Sequence, residues 1–253
     1  MEVVCLDFEG VLIPEIWIEV AERTGIDALR ATTRDIPDYD KLMSQRLRVV
    51  AENGLGLGDI QAVIQEMGPM DGAAAFLGDL RQSAQVVILS DTFYEFAQPL
   101  VRQLDWPTLF CHHLISEEDT ITGYKLRMKD HKRHAVQAFK DLRFRVTAAG
   151  DSYNDISMLS EARRAYCTAA KRGFTTDVRK ATMATLAKPP ARFSAAIAIM
   201  SRAMRCPWSG ATGSGLIVAA QPANSRRGAP RWVNCRKASM AAPPADRSAN
   251  RRL

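Results

Sequence analysis

Cysteine is scarce and unpatterned. The five thiols (Cys5, Cys111, Cys167, Cys206 and Cys235) are odd in number and form no C-x-x-C pair, which excludes a disulfide frame or a zinc ribbon and implies reduced thiols. No apolar run approaches the roughly 18 residues of a membrane span. The opening Met1-Glu2, followed by a short apolar stretch broken by Asp7, lacks the pattern of a secretory signal. These absences imply a cytoplasmic protein with no membrane partner. Internal repeats are also missing, so a solenoid is excluded. What remains is ordinary globular usage, 47% hydrophobic and 25% charged over 253 residues, enough for one large domain or a domain with an insert.

Acids are nearly missing from one part of the chain. Residues 163–253 hold two, Asp177 and Asp246, against 18 Lys and Arg, whereas residues 1–162 hold 26 acids against 16 bases. The net charge of +6 therefore averages two unlike segments, and the composition breaks at about Ala162.

The first segment alternates strands and helices. Short apolar strands over residues 3–8, 85–90 and 146–150 each end in a polar, Asp-containing stretch, the rhythm of a parallel α/β sheet. The stretch between the first two strands is too long for one crossover helix. Ile16, Val20 and Ala21 mark one amphipathic helix, and Ile60, Val63, Ile64 and Met67, with Asp59 as cap, mark another. A small helical insert over the strand ends is expected. Residues 134–142 read as a helix, and residues 109–114 and 121–126 as short strands around a turn at 117–120. Gly54, Gly56 and Gly58 lack the G-x-G-x-x-G spacing and read as a loop.

Three strand ends deliver polar residues to the edge where open α/β sheets bind ligands: Asp7 and Glu9 in DFEGV, Ser90 and Asp91 in ILSDT, Asp151 and Asp155 in GDSYND. Clustered carboxylates repel unless a cation sits among them, and a hard divalent ion, Mg2+, answers with oxygen ligands. Asp7, followed closely by Gly10, is the candidate nucleophile, because a glycine lets backbone N–H groups approach an anion. Glu9 points to the same side and is placed to protonate a leaving oxygen. Ser90 offers a hydroxyl and Asp91 a backbone N–H to phosphoryl oxygens. The cation that offsets a transferring phosphoryl group is assigned to Lys132, with Lys125, Lys129 and Arg133 as competitors. Asp155 either binds metal directly or braces Lys132 or a metal-bound water. His112 and His113 read as strand residues facing opposite ways, with no catalytic role.

These motifs resemble, in order, the four motifs of the haloacid dehalogenase-like phosphatases, and the insert after the first resembles the helical cap of phosphoserine phosphatases. CLDFEGVLIPEIW, TGIDAL, ATTRDIPDYD, VVILSDTFYEF and AAGDSYNDISMLSEA resemble most the bifunctional phosphoserine phosphatase/homoserine phosphotransferase branch, which shares Glu9 where most relatives have a second Asp. The resemblance implies a Rossmann-like parallel core over residues 1–13 and 75–162 with a helical cap over 14–74. It implies Mg2+ held by Asp7, the Glu9 carbonyl and Asp151, and phosphate held by Ser90, Asp91 and Lys132. It implies, too, that Glu15, Arg46 and Asn154 read the amino acid of O-phospho-L-serine. The charges of Glu15 and Arg46 complement an ammonium and a carboxylate, although on sequence alone both read as solvated helix residues. The partner is thus a small phosphorylated amino acid; the sequence leaves a homodimer open.

Residues 163–253 are interrupted by Pro and Gly, with GATGSG as a flexible linker and residues 193–200 as the one apolar helical stretch. Related phosphatases continue with another short strand and helix, and residues 163–167 do not read as that strand. A change of reading frame near residue 162, leaving a basic tail without function, is therefore expected. Salt-dependent nucleic-acid binding by the tail is the rival, with nucleic acid disfavoured because interleaved aromatics are missing. An inactive homologue with a truncated core is the other alternative.

Overall fold

The computed structural model describes residues 1–33, 35–168, 185–186 and 218–221. Strand β1 (Glu2–Leu6) is central, with β2 (Gln85–Phe93) parallel on one side and β5 (Arg145–Gly150) parallel on the other. Beyond β2 lie β3 (Thr108–Glu117), parallel, and β4 (Thr120–Lys125), antiparallel across a tight turn at Glu118 and Asp119. Side-chain alternation along β1 closes both faces. Val4 and Leu6 pack with Val86 and Ile88 under α4 (Ala73–Arg81) and α5 (Tyr94–Gln103). Val3 and Cys5 pack with Val87, Leu89 and Val146 under α6 (His131–Asp141) and α7 (Ile156–Glu161).

The insert between β1 and α4 is helical, as its periodicity requires. Helix α1 (Ile16–Thr24) buries Ile16, Trp17, Val20 and Ala21 and stops at Gly25, whose φ of +71° is the left-handed C-terminal stop. After a 3-10 turn (Asp27–Arg30), α2 (Tyr39–Glu52) starts where Asp38 accepts from the Lys41 N–H at 3.1 Å. Helix α3 (Leu57–Glu66) differs from expectation: Gly56 is its cap and Asp59 lies inside, accepting from the Gly56 N–H at 2.8 Å. Gly58 is thus in the first turn of a helix, not in a loop. The reason is a partner distant in sequence. Asp119, at the β3–β4 turn, accepts from the Leu57 and Gly58 N–H groups, each at 2.7 Å, and a Cβ on Gly56 would stand 1.8 Å from its carboxylate.

Residues 163–167 also correct the sequence reading. Strand β6 (Arg164–Cys167) adds to β5 in parallel and buries Ala165, Tyr166 and Cys167, so the sheet and its core continue past residue 162, and the Thr168 N–H donates to the Gly150 carbonyl at 2.9 Å. Alternation is not legible in so short a segment behind two arginines; an unfilled sheet edge supplies the order instead. The short strands β7 (Thr185–Leu186) and β8 (Val218–Gln221) extend the sheet antiparallel beyond β6 by backbone pairing, which leaves no side-chain signature. The expectations for GATGSG, residues 193–200, the nucleic-acid-binding tail and most of the tail lie outside the described residues. Among the described residues no helix is long and apolar enough to cross a membrane.

Candidate active site

The carboxyl ends of β1, β2 and β5 meet over one buried ammonium. Lys132, in the first turn of α6 and 2% exposed, places Nζ 3.0 Å from Asp7 Oδ1, 2.8 Å from Asp155 Oδ1 and 3.3 Å from Asp91 Oδ2. Burial alone would discharge the lysine; Asp155, Asp7 and Asp91 instead hold its proton well above the usual lysine range. Its competitor Arg133 is occupied at the surface by Glu161 at 3.3 Å.

Asp7 follows β1, its backbone N–H bonded to the Ala149 carbonyl at 2.9 Å and its Oδ1 accepting from the Phe8 N–H at 2.7 Å. Burial first, then Asp155, raises its pKa well above the carboxylate range, with Lys132 opposing and Asp151 and Asp91 adding to the rise. One ammonium thus does not balance the carboxylates gathered here. Asp7, Asp151 and Asp155 bring carboxylate oxygens within 4.8 Å of one another. A hard dication suits such a donor set, and the excess charge is what it would relieve.

Two glycines make this crowding feasible. Gly10 has φ +72°, and a Cβ there would lie 2.7 Å from Asp151 Oδ2; a Cβ on Gly150 would lie 2.5 Å from Asp155. Asp155 is fully buried and braces rather than reaches out: Oδ1 takes Lys132, and Oδ2 accepts from the Asp151 and Ser152 N–H groups at 3.0 and 3.1 Å.

Glu9 sits where core meets cap. Its Oε2 accepts from the Ile16 N–H at 3.0 Å, and Thr92, Glu15 and Arg46 lie within electrostatic reach. Burial, with Glu15 beside it, raises its pKa to about 7. Arg46 crosses from α2 into the same region, 9% exposed, with its guanidinium 4.9 Å over the Trp17 ring and Nη2 donating to the Ala31 carbonyl at 2.8 Å. Its Nε has no hydrogen-bond partner among the described residues.

On β2 the pairing with β3 slips between Leu89 and Phe93, so Ser90, Asp91 and Thr92 bulge out of the ladder toward the site. Ser90 is 2% exposed, and the strand runs on through it, so Ser90 and Asp91 are not a helix cap. Asn154 is the displaced member of the expected set: its Nδ2 donates to Asp91 Oδ2 and its Oδ1 accepts from Ser152, so its polar atoms are engaged within the core. Sequence reasoning missed three neighbours. Thr92 lies beside Glu9, Tyr39 donates to the Asp91 carbonyl at 2.9 Å, and His131 meets Asp91. The bulge places Thr92, the docking of α2 places Tyr39 and the start of α6 places His131, and none of these leaves a local sequence signal. His112 and His113 do face opposite ways, His112 inward toward Asp91 and His113 toward Glu95 at the surface.

A family model for haloacid dehalogenase-like hydrolases matches residues 1–163. Phosphoserine phosphatase ThrH of Pseudomonas aeruginosa is 66% identical over 163 residues, 64% of this chain and 80% of that protein. A phosphoserine phosphatase of Pseudomonas syringae pv. tomato is 64% identical over 163 residues, 64% of this chain and 69% of that one. The fold resembles a crystal structure of phosphoserine phosphatase in apo form with a TM-score of 0.55 at 18% identity, covering 65% of this chain and 84% of that one. The chain belongs to the haloacid dehalogenase-like hydrolases, in their phosphoserine phosphatase family.

Proposed function

We propose that the protein hydrolyses O-phospho-L-serine to L-serine and phosphate with Mg2+. Two close relatives carry the name phosphoserine phosphatase. The observation that carries the reading on this chain is the opposition of two charged ends: Lys132 beside Asp7 for a phosphoryl group, and the buried Arg46 with an open Nε for a carboxylate.

Asp7 attacks phosphorus in line, and the bond to the seryl oxygen breaks as Glu9 gives that oxygen its proton. The resulting Asp7 acyl phosphate is attacked at phosphorus by water, which yields its proton to Glu9; the P–O bond to Asp7 breaks and phosphate leaves. Lys132 and the hydroxyl of Ser90 hold the phosphoryl oxygens, joined by the Asp91 N–H. Asp7, Asp151 and the Glu9 carbonyl would hold Mg2+, which when bound neutralises phosphoryl charge and keeps Asp7 ionised. Glu15 faces the substrate ammonium. Transfer to the hydroxyl of homoserine needs no further residue, only that acceptor where water attacks. Cys5, Cys111 and Cys167 are buried without a disulfide, which supports a reducing, cytoplasmic setting.

The test is phosphate release from phosphoserine, phosphothreonine and phosphohomoserine with Mg2+ and with EDTA. Phosphoserine should be preferred and EDTA should stop turnover. Activity that persists in EDTA, or indifference to the amino acid, would overturn the reading.

A further inference from the structure

The proposed chemistry leaves two buried histidines unused. His112, on β3, and His131, on α6, are each 3% exposed, with ring centroids 4.5 Å apart, and both point Nε2 at one oxygen of Asp91. His131 Nε2 lies 3.1 Å and His112 Nε2 3.5 Å from Oδ1, while Oδ2 takes Lys132 at 3.3 Å and Asn154.

A metal is the first alternative, since two imidazoles and a carboxylate form a familiar donor set. His112 argues against it. Its Nδ1 accepts the Arg127 backbone N–H at 3.2 Å, so the neutral ring carries its proton on Nε2 and has no lone pair for a metal there. Lys132, already on the other carboxylate oxygen, adds a charge that a metal cation would oppose. An ionised Asp91 only accepts, so His131 also presents an Nε2 proton.

Resting on the proposed phosphatase reading, we infer that Asp91 is a positioning residue: its carboxylate, held by Nε2–H donors from His112 and His131, fixes Lys132 at the phosphate site and anchors Asn154. Burial pushes the Asp91 carboxyl up, but Lys132 and the two histidines together pull it well below the usual range, so it stays ionised. The carboxylate divides its work by oxygen, one toward the two rings and one toward the phosphate-facing groups. Losing a ring donor frees Asp91 to turn, and Lys132 then has only Asp7 and Asp155 to set its place.

The experiment compares Asp91→Asn, His131→Leu and His131→Gln, because the glutamine amide places an N–H near the lost Nε2–H. Inorganic phosphate binding with Mg2+ is measured by calorimetry, and kcat/KM with p-nitrophenyl phosphate. Hydrogen bonds to charged groups imply a weakening of phosphate binding by about tenfold or more for Asn and Leu, with Gln returning to within about threefold of wild type. Ring 15N spectra of the wild-type protein should show Nε2–H on both histidines. Leu and Gln variants that bind phosphate equally, or spectra with Nδ1–H on either ring, would overturn the inference. Stoichiometric Co2+ uptake lost in His131→Leu would also overturn it, in favour of a metal site. A wild-type protein that binds phosphate with the expected tautomers yet leaves phosphoserine intact would refute the proposed substrate alone.

Discussion

A Cβ on Gly10 would occupy space that the Asp151 carboxylate fills, 2.7 Å from its Oδ2. Side-chain freedom at one position thus depends on its absence at the other, and φ +72° adds backbone strain of about 1 to 2 kcal/mol for any other residue. Gly10→Ala should therefore displace Asp151 and reduce phosphatase activity by about 10- to 100-fold, with a raised Mg2+ requirement, since mutations around a metal site commonly cost that much in affinity or activity. Activity titrated against Mg2+ checks this; wild-type affinity for the ion would remove Asp151 from the metal site.

Glu9 predicts a pH dependence that differs between substrates. Burial, then Glu15, sets its pKa at about 7, so the acid form is lost as pH rises through that value. A seryl alkoxide leaves poorly without a proton, whereas nitrophenolate needs none. The single-turnover rate of enzyme phosphorylation should fall above about pH 7 with phosphoserine and stay level with p-nitrophenyl phosphate. In Glu9→Gln the alkaline fall should vanish together with about 10²-fold of phosphoserine turnover. The same alkaline fall with both substrates would reassign the acid.

Arg46→Ala should raise KM for phosphoserine while sparing p-nitrophenyl phosphate, which has no carboxylate. The side chain also lies over Trp17 and bonds the Ala31 carbonyl, so some loss of stability accompanies the change. Comparing the two substrates in one preparation separates the roles. Equal damage to both would assign Arg46 to folding of the cap.

The residues that were legible are those whose chemistry is fixed by strand ends. Asp7, Ser90, Asp91 and Asp151 come from three separate apolar runs, and a parallel sheet has one edge on which they can meet. Lys132 was harder: α6 starts at His131, earlier than its apolar pattern announces, and only the fold separates Lys132 from Arg133. Thr92 and Tyr39 were invisible because a bulge in β2 and the seating of α2 bring them in. Strand β6 was missed because pairing with β5, not its own alternation, orders it.

Acids nearly vanish after residue 162 and the family match stops at Arg163, so composition and kinship break together. Strand β6 does fill the place beside β5, with Ala165 and Cys167 in the core on one face of the sheet and Tyr166 in the core on the other. Reading one base later from the codon for Ala162 should restore an apolar strand followed by an acid-balanced helix. The codon table permits it: if Arg163 and Arg164 use CGN codons, the shifted triplets are CNC, GNC, GNG, CNT, AYT and GYA, which include His, Gly or Ala, Val or Gly, Leu, Ile, and Ala or Val. A chain with the restored frame should melt higher, by about 2 to 4 °C for each kcal/mol gained at this size. The nucleotide sequence decides first. If no frame past codon 162 encodes such a strand and helix, the frame change is excluded, and the 18 basic residues of 163–253 become a native feature whose DNA affinity and salt slope are then the measurement to make.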